Sequence, residues 1–109
     1  FMSLEDGKRA EEKASSYLEA LGYTILTCNF HSKFGEIDII AQKEGVIHFC
    51  EVKFSQHYDP LWRITPSKLA KIIKTIGYYF LRYPSSSDYQ IDAILVTNEK
   101  IEIIKNISY

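Results

Sequence analysis

Gly35-Glu36-Ile37-Asp38-Ile39-Ile40-Ala41 is followed closely by Val46-Ile47-His48-Phe49-Cys50-Glu51-Val52-Lys53-Phe54, and these two stretches decide the fold of the chain. Both have the β-branched and aromatic composition of strands, and the connection between them ends in a glycine suited to a tight hairpin turn. Acidic residues are depleted from strands and are costly to bury without partners. The carboxylates inside these strands therefore indicate a functional site.

The turn determines which charged residues face each other across the hairpin. A two-residue loop at residues 44–45 places Asp38 directly opposite Glu51, and Glu36 opposite Lys53. Directly opposed residues point to the same face, with Cβ atoms roughly 4.5–5.5 Å apart. This register predicts that the carboxyl groups of Asp38 and Glu51 meet.

An ordinary cross-strand ion pair between Glu36 and Lys53, on the solvated face of a half-exposed sheet, is the alternative interpretation. Alternation places Ile40, Ile47 and Phe49 on this same face, which is unexpected for a wholly solvated surface. The opposite face receives Ile37, Ile39 and Ala41. The spacing of these residues leaves both interpretations open.

A divalent metal ion would explain two carboxylates at this distance. Asp38 and Glu51 would repel each other unless a cation or a proton lies between them. A hard ion with oxygen ligands, Mg²⁺ or Mn²⁺, resolves the repulsion and supports phosphodiester hydrolysis. Lys53, two residues after Glu51, is placed to position the attacking water or to stabilise the transition state.

Composition indicates one globular domain spanning residues 1–109. Hydrophobic residues make up 46% of the chain and charged residues 25%, and no apolar run approaches the ~20 residues that span a bilayer. Two cysteines without an export signal favour the cytoplasm. A formal net charge of −1 means that any contact with nucleic acid must depend on a local basic patch.

The periodicity of the sequence predicts an α/β fold. The order of elements is α-β-β-β-α-β-β, a mixed sheet flanked by two helices. Asp92, in the fourth strand, is expected at the rim of the sheet. The expected elements are a helix at 4–22, a strand at 23–30, a hairpin at 34–54, a helix opened by Thr65-Pro66, and strands at 89–97 and 101–107.

Basic and aromatic residues beyond the hairpin are candidate substrate contacts. The aperiodic segment 55–64 holds Trp62 and Arg63, which could contact a substrate, although Trp62 could equally fold back onto the core. Lys68 and Lys71 of the second helix could bind phosphates or could simply form a solvated face.

Several motifs together resemble the bacterial UPF0102 (YraN-like) family over roughly residues 4–84. These motifs are Gly7-x-x-Ala10-Glu11-x-x-Ala14-x-x-Tyr17-Leu18, Gly22-Tyr23, Asn29, Gly35-Glu36-Ile37-Asp38-Ile39-Ile40, Glu51-Val52-Lys53 and Thr65-Pro66-x-Lys68. That family is similar to Holliday-junction resolvases of the restriction-endonuclease-like PD-(D/E)xK superfamily.

The resemblance implies a restriction-endonuclease-like fold with Asp38, Glu51 and Lys53 as the metal and catalytic core. It also implies that Glu11 is directed into the site, and Glu11 borders the buried face of its predicted helix. Family members commonly carry Arg where this chain has His31 and Ser55, so the chain has less positive charge beside the site.

Two hypotheses for the function follow. The first is Mg²⁺-dependent or Mn²⁺-dependent hydrolysis of DNA, including branched or processed structures, with Asp38 and Glu51 as metal ligands. In this hypothesis Lys53 and Glu11 are catalytic, Glu36 is a supporting residue, and a homodimer is plausible. The second is a nuclease-like module that binds nucleic acid or a protein partner without cutting.

Overall fold

A computed structural model describes residues 4–107 as a five-stranded sheet with two helices. The order α-β-β-β-α-β-β is the predicted one. Its elements are α1 (Leu4–Ala20), β1 (Thr24–Ser32), β2 (Gly35–Lys43), β3 (Val46–Phe54), α2 (Pro66–Arg82), β4 (Asp88–Val96) and β5 (Ile101–Ile104).

The strands lie side by side in chain order, and the sheet is mixed. β3 and β4 pair in parallel, whereas the other neighbouring pairs are antiparallel. Two parallel strands need a long crossover between them, and α2 provides it. The Thr65 side chain caps α2 by accepting a hydrogen bond of 3.2 Å from the backbone N–H of Lys68, and Pro66 occupies the first turn. Both features of this helix start were predicted.

The β2–β3 hairpin has the predicted two-residue loop. Glu44 and Gly45 both have positive φ, at 52° and 79°, as a tight turn between twisted strands requires. The Cα pairing of β2 with β3 begins at Lys43↔Val46 and extends to Ile39↔Cys50. The hairpin therefore adopts the register on which the predicted meeting of the carboxylates depends.

The apolar side chains form one core cluster under each helix. The cluster beneath α2 contains Phe30, Ile37, Ile40, Ile47, Phe49, Leu69, Ile72, Ile76, Tyr79 and Ile91. The cluster beneath α1 contains Ala10, Ala14, Leu18, Tyr23, Ile39, Ala41, Cys50, Ile94 and Val96. Each helix thus covers one face of the sheet.

The predicted alternation fails in the middle of β2. Ile37 packs beneath α2, whereas Ile39 and Ala41 pack beneath α1, so the prediction that these three side chains share a face was wrong. The neighbouring strand β1 is irregular: its register with β2 shifts after Ile25, and Asn29 has a φ of 53°. A left-handed residue interrupts regular pleating, and β2 changes faces beside it.

Asp92 is a second correction, because it lies in the core and not at the rim. It is 1% exposed and is hydrogen-bonded to His48 Nδ1 at 2.7 Å, Gln90 Nε2 at 2.8 Å and the Asn106 N–H at 2.8 Å. Sequence reasoning missed this network because two of the three partners, His48 and Asn106, come from segments distant in the chain.

The ends of three elements also differ from the predictions. α1 ends at Ala20, β1 runs from Thr24 to Ser32, and the last strand ends at Ile104. Among residues 4–107, no helix is long and apolar enough to cross a membrane.

Candidate metal and phosphodiester site

Asp38 and Glu51 meet where the β2–β3 pairing ends. The carboxyl groups of Asp38 and Glu51 lie close enough to interact and line the same cavity, and Asp38 Oδ2 accepts a hydrogen bond of 2.7 Å from the Val52 N–H. The predicted proximity of the two carboxyl groups is therefore present. A direct hydrogen bond between them would require a proton on one of the two.

The environment of Asp38 explains where that proton lies. Burial raises the pKa of Asp38 to about 8, with further contributions from the hydrogen bond and the negative charge of Glu51. The Val52 N–H and the Lys68 ammonium group act in the opposite direction. The raised pKa of Asp38 means that its protonated form is favoured beside Glu51. Keeping a carboxyl group protonated at neutral pH costs free energy, because the same group would be ionised in water.

Lys68 provides a positive charge to the pair from the first turn of α2. Its Nζ lies 3.2 Å from Glu51 Oε2, with the Glu51 side chain 14% exposed and that of Lys68 43% exposed. Sequence analysis predicted Lys68 as a phosphate contact and missed this ion pair. The Thr65 cap fixes where α2 starts. The contact between Lys68 in the first turn of α2 and Glu51 near the end of β3 depends on how the helix lies over the sheet.

Glu36 and Lys53 do not form the ion pair of the alternative interpretation. Glu36 instead pairs with His31 of β1, with 3.2 Å between His31 Nδ1 and Glu36 Oε2 on the surface. The β2–β3 pairing stops at Ile39↔Cys50, so the predicted opposition of Glu36 and Lys53 is not maintained. The exposed Lys53 side chain is left facing the cavity that the two carboxyl groups share.

Glu11 enters the site from α1, next to Ala10, which is buried in the core cluster. Burial and the negative charge of Asp38 raise the pKa of Glu11, and a hydrogen bond from the Asn29 side chain lowers it. Asn29 belongs to the irregular part of β1, so a residue of this kink also lies beside Glu11. Nothing in the sequence pattern identified this role for Asn29.

One cavity of about 250 Å³ collects these groups. The predicted site residues that line it are Glu11, Glu36, Asp38, Glu51, Lys53 and Lys68. Trp62 from the 55–64 segment also lines it, whereas Lys71 and Arg63 lie outside. Lys71 is exposed on α2, and Arg63 Nη1 donates to the carbonyl oxygens of Pro60 and Trp62.

Two neighbouring carboxylates suit Mg²⁺ or Mn²⁺ better than a metal ion that takes all of its ligands from protein side chains. Among residues 4–107, no group of three or more His, Cys, Asp or Glu side chains is arranged to hold a metal ion. Mg²⁺ is usually held by one or two carboxylates and keeps several waters or binds substrate phosphate. Asp38 and Glu51 supply those two carboxylates.

The fold and the site define an α/β protein with a carboxylate cavity at the splayed end of a hairpin. Residues 10–96 match the family described as "Uncharacterised protein family UPF0102". The chain belongs to this family. The resemblance noted from its motifs is therefore confirmed at the level of the family.

Relatives from two bacterial genera match almost the whole chain. A UPF0102 protein of Helicobacter pylori (strain Shi470) is 52% identical over 103 residues, which cover 94% of this chain and 90% of that protein. A UPF0102 protein of Campylobacter fetus subsp. fetus (strain 82-40) is 49% identical over 104 residues, covering 94% and 93%. One from Campylobacter jejuni subsp. jejuni (strain 81-176) is 50% identical over 105 residues, covering 95% and 94%.

Proposed function

We propose that this protein hydrolyses DNA phosphodiester bonds with the help of Mg²⁺ or Mn²⁺, acting on substrates that include branched or processed structures. The observation that carries the proposal is the close pair of carboxyl groups, Asp38 and Glu51, in a cavity that also contains an exposed lysine. Placing two acids together serves no purpose in packing, and a cation between them would relieve the repulsion. The two free cysteines, Cys28 and Cys50, are in keeping with a reducing compartment such as the cytoplasm.

Asp38 and Glu51 would hold the ion, and loss of the proton on Asp38 would accompany its binding. When bound, the ion would supply Lewis-acid stabilisation of the charge that develops on the phosphate. The Val52 N–H orients Asp38, and Lys68 orients Glu51. These contacts place both carboxylates at the cavity in the absence of a metal ion, and a cation that binds Glu51 would displace the second contact.

Lys53 and Glu11 would act on the water and the phosphate. The Lys53 ammonium group can donate a hydrogen bond to the attacking water or to a non-bridging phosphate oxygen. The carboxylate of Glu11 can accept a proton from that water, and its raised pKa brings its basicity closer to that required at neutral pH. Glu36 is a supporting residue, held at the edge of the cavity by His31.

The proposal is tested by cleavage of a panel of labelled DNA substrates: single strand, duplex, flap and four-way junction. We expect cleavage with Mg²⁺ or Mn²⁺, none with a chelator, and at least a ~100-fold lower rate for Asp38→Asn and for Lys53→Met. Glu12→Gln is the matched control, because Glu12 is exposed on the helix that carries Glu11. Cleavage that both site variants retain would come from a contaminant and would end the proposal.

A non-catalytic module that binds nucleic acid or protein is the second candidate. The ion pair between Lys68 and Glu51 favours it, because an ammonium group already neutralises part of the charge that a metal would neutralise. The net charge of −1 also favours it over a protein that grips long DNA by itself. Calorimetry discriminates the two: no heat of Mn²⁺ binding at millimolar concentration, with or without DNA, would support the module.

A further inference from the structure

A second cavity lies beside the carboxylate site. It has a volume of about 710 Å³ and is formed by the 55–64 segment, the start of α2, and the chain from β5 to Ile107. This volume lies within the ~300–1,000 Å³ typical of ligand pockets. Trp62 lines both this cavity and the carboxylate cavity. The two cavities are therefore neighbours that share the Trp62 side chain.

We propose that this larger cavity binds an unpaired nucleotide of the strand that is cut at the carboxylate site. The inference rests on the proposed function, and it narrows the substrate class to nucleic acid with an unpaired nucleotide next to the scissile phosphodiester. A nucleotide inside a regular duplex keeps its base stacked and paired, so it could enter the cavity only after being flipped out.

The aromatic lining of the cavity suits an unstacked base. Trp62 is half-buried and Tyr58 is 42% exposed, and both rings line the cavity. The Tyr58 ring is covered on one face by Lys100, whose Nζ lies 4.0 Å from the ring centroid. Aromatic side chains that are fixed in place in this way are the usual platform for single-stranded bases.

The charges around the cavity suit the phosphate of the same nucleotide. Arg63 and Lys105 line it, and Lys100 lies over the Tyr58 ring. Glu102 is the opposing charge in the lining. The lining therefore carries two cations and one anion although the chain as a whole carries −1, and contact with nucleic acid requires a local excess of positive charge of this kind.

One wall of the cavity is anchored to the sheet, and the opposite wall is a loop held by hydrogen bonds of its own. The Asn106 N–H donates to Asp92 Oδ1 and the Ile107 N–H donates to the Ile91 carbonyl oxygen, each at 2.8 Å. On the other side, the Leu61 N–H donates to Asp59 Oδ1 at 2.9 Å and fixes the loop that presents Trp62. A pre-formed site of this kind loses little conformational entropy on binding.

Trp62 is the single tryptophan of the chain, so its fluorescence reports directly on the proposed contact. We expect a short single-stranded oligo(dT) to quench the fluorescence of Asp38→Asn protein in the presence of a chelator, where no cleavage can occur. A blunt duplex of the same length should quench it at least ~10-fold less at equal concentration. Equal quenching by both, or quenching by neither, would overturn the inference.

Binding of a fluorescently labelled oligo(dT), followed by anisotropy, tests the individual residues. We expect Trp62→Ala to weaken binding about 5- to 150-fold, the value of one stacked base, and Trp62→Phe to restore most of it. Leu61→Ala is the matched control: Leu61 precedes Trp62 on the same loop but is 82% exposed and does not line the cavity. If Trp62→Ala protein does not fold, Tyr58→Ala tests the aromatic wall of the cavity and Lys105→Gln tests its positive charge. Variants that bind like Leu61→Ala would overturn the inference.

The failure of this inference and the failure of the proposed function give different results. If an oligonucleotide binds at Trp62 but is never cut with Mg²⁺ or Mn²⁺, the proposed hydrolase activity is refuted and the proposed nucleotide site is retained. If wild-type and Trp62→Ala protein show metal-dependent cleavage at the same rate, on duplex as well as flap substrates, the proposed nucleotide site is refuted and the proposed hydrolase activity is retained.

Discussion

Asp38 and Asp92 are both buried aspartates on central strands, but their surroundings are opposite in character. Asp92 is hydrogen-bonded to a histidine ring, an amide side chain and a backbone N–H. Asp38 has one backbone donor and faces the carboxyl group of Glu51. The two residues are buried to almost the same extent: Asp92 is 1% exposed and Asp38 is 6% exposed.

The difference shows how a structural carboxylate can be distinguished from a functional one. Donors that surround a buried carboxylate compensate for its lost hydration, and the group then ties segments together. A second acid beside a buried carboxylate does the reverse and stores an unfavourable interaction until a cation relieves it. Substitutions of Asp92, Asp38 and Lys68 test this distinction.

The largest expected effect is loss of stability in Asp92→Ala. Removing this carboxylate takes away the group that His48, Gln90 and the Asn106 N–H contact, and breaking a buried hydrogen-bonded network costs about 3 kcal/mol. Urea denaturation measures the change in the free energy of unfolding. Asp88→Ala, at the exposed start of the same strand, should change it by less than about 0.5 kcal/mol. Equal effects of the two substitutions would mean that Asp92 is not structural.

A smaller effect is expected in the pH dependence of stability. The pKa of Asp38 is raised from 3.8 to about 8 in the folded protein, so between these pH values the folded state binds more protons than the unfolded state. Stability without metal should therefore fall as pH rises from about 4 to about 8. In Asp38→Asn the difference in unfolding free energy between pH 5 and pH 8 should shrink by at least about 1.4 kcal/mol, the value of one pKa unit.

The Asn side chain is a fair mimic of the protonated acid, because its NH₂ can donate to Glu51 while its oxygen accepts from the Val52 N–H. Glu12→Gln provides the control and should keep the wild-type pH dependence. An unchanged pH dependence in Asp38→Asn would mean that the pKa of Asp38 is not raised in the folded protein.

The smallest expected effect concerns Lys68. A cation that binds Glu51 has to displace the Lys68 ammonium group, and a partly exposed ion pair of this kind is worth about 0.2–1 kcal/mol. Lys68→Met should therefore bind Mn²⁺ about 1.5- to 5-fold more tightly in calorimetry. Lys71→Met, one turn away and exposed, serves as the control. Weaker Mn²⁺ binding in Lys68→Met than in Lys71→Met would show that Lys68 supports the metal instead of competing with it.

The hairpin and the meeting of the carboxyl groups could be predicted from the sequence because both depend on local rules. Gly45 fixes a two-residue turn, the turn fixes the register, and the register brings Asp38 to Glu51. The start of α2 was predictable for the same reason, since Thr65 and Pro66 act within one turn of the helix. The order of the elements followed from their periodicity.

Features that depend on distant segments were not predictable. The change of faces in β2 comes from the left-handed conformation of Asn29 in the neighbouring strand, and one sequence does not reveal it. The burial of Asp92 depends on partners from two distant segments. The ion pair of Lys68 with Glu51 depends on how the α2 crossover lies over the sheet, which no local pattern specifies.

The irregular strand β1 has one more consequence. β1 lies at an edge of the sheet, where a long regular strand would offer its backbone to a neighbouring molecule and promote aggregation. The register shift after Ile25 and the kink at Asn29 interrupt that edge near the exposed side chain of Leu26. An interrupted edge of this kind is a poorer template for pairing with a strand of another molecule.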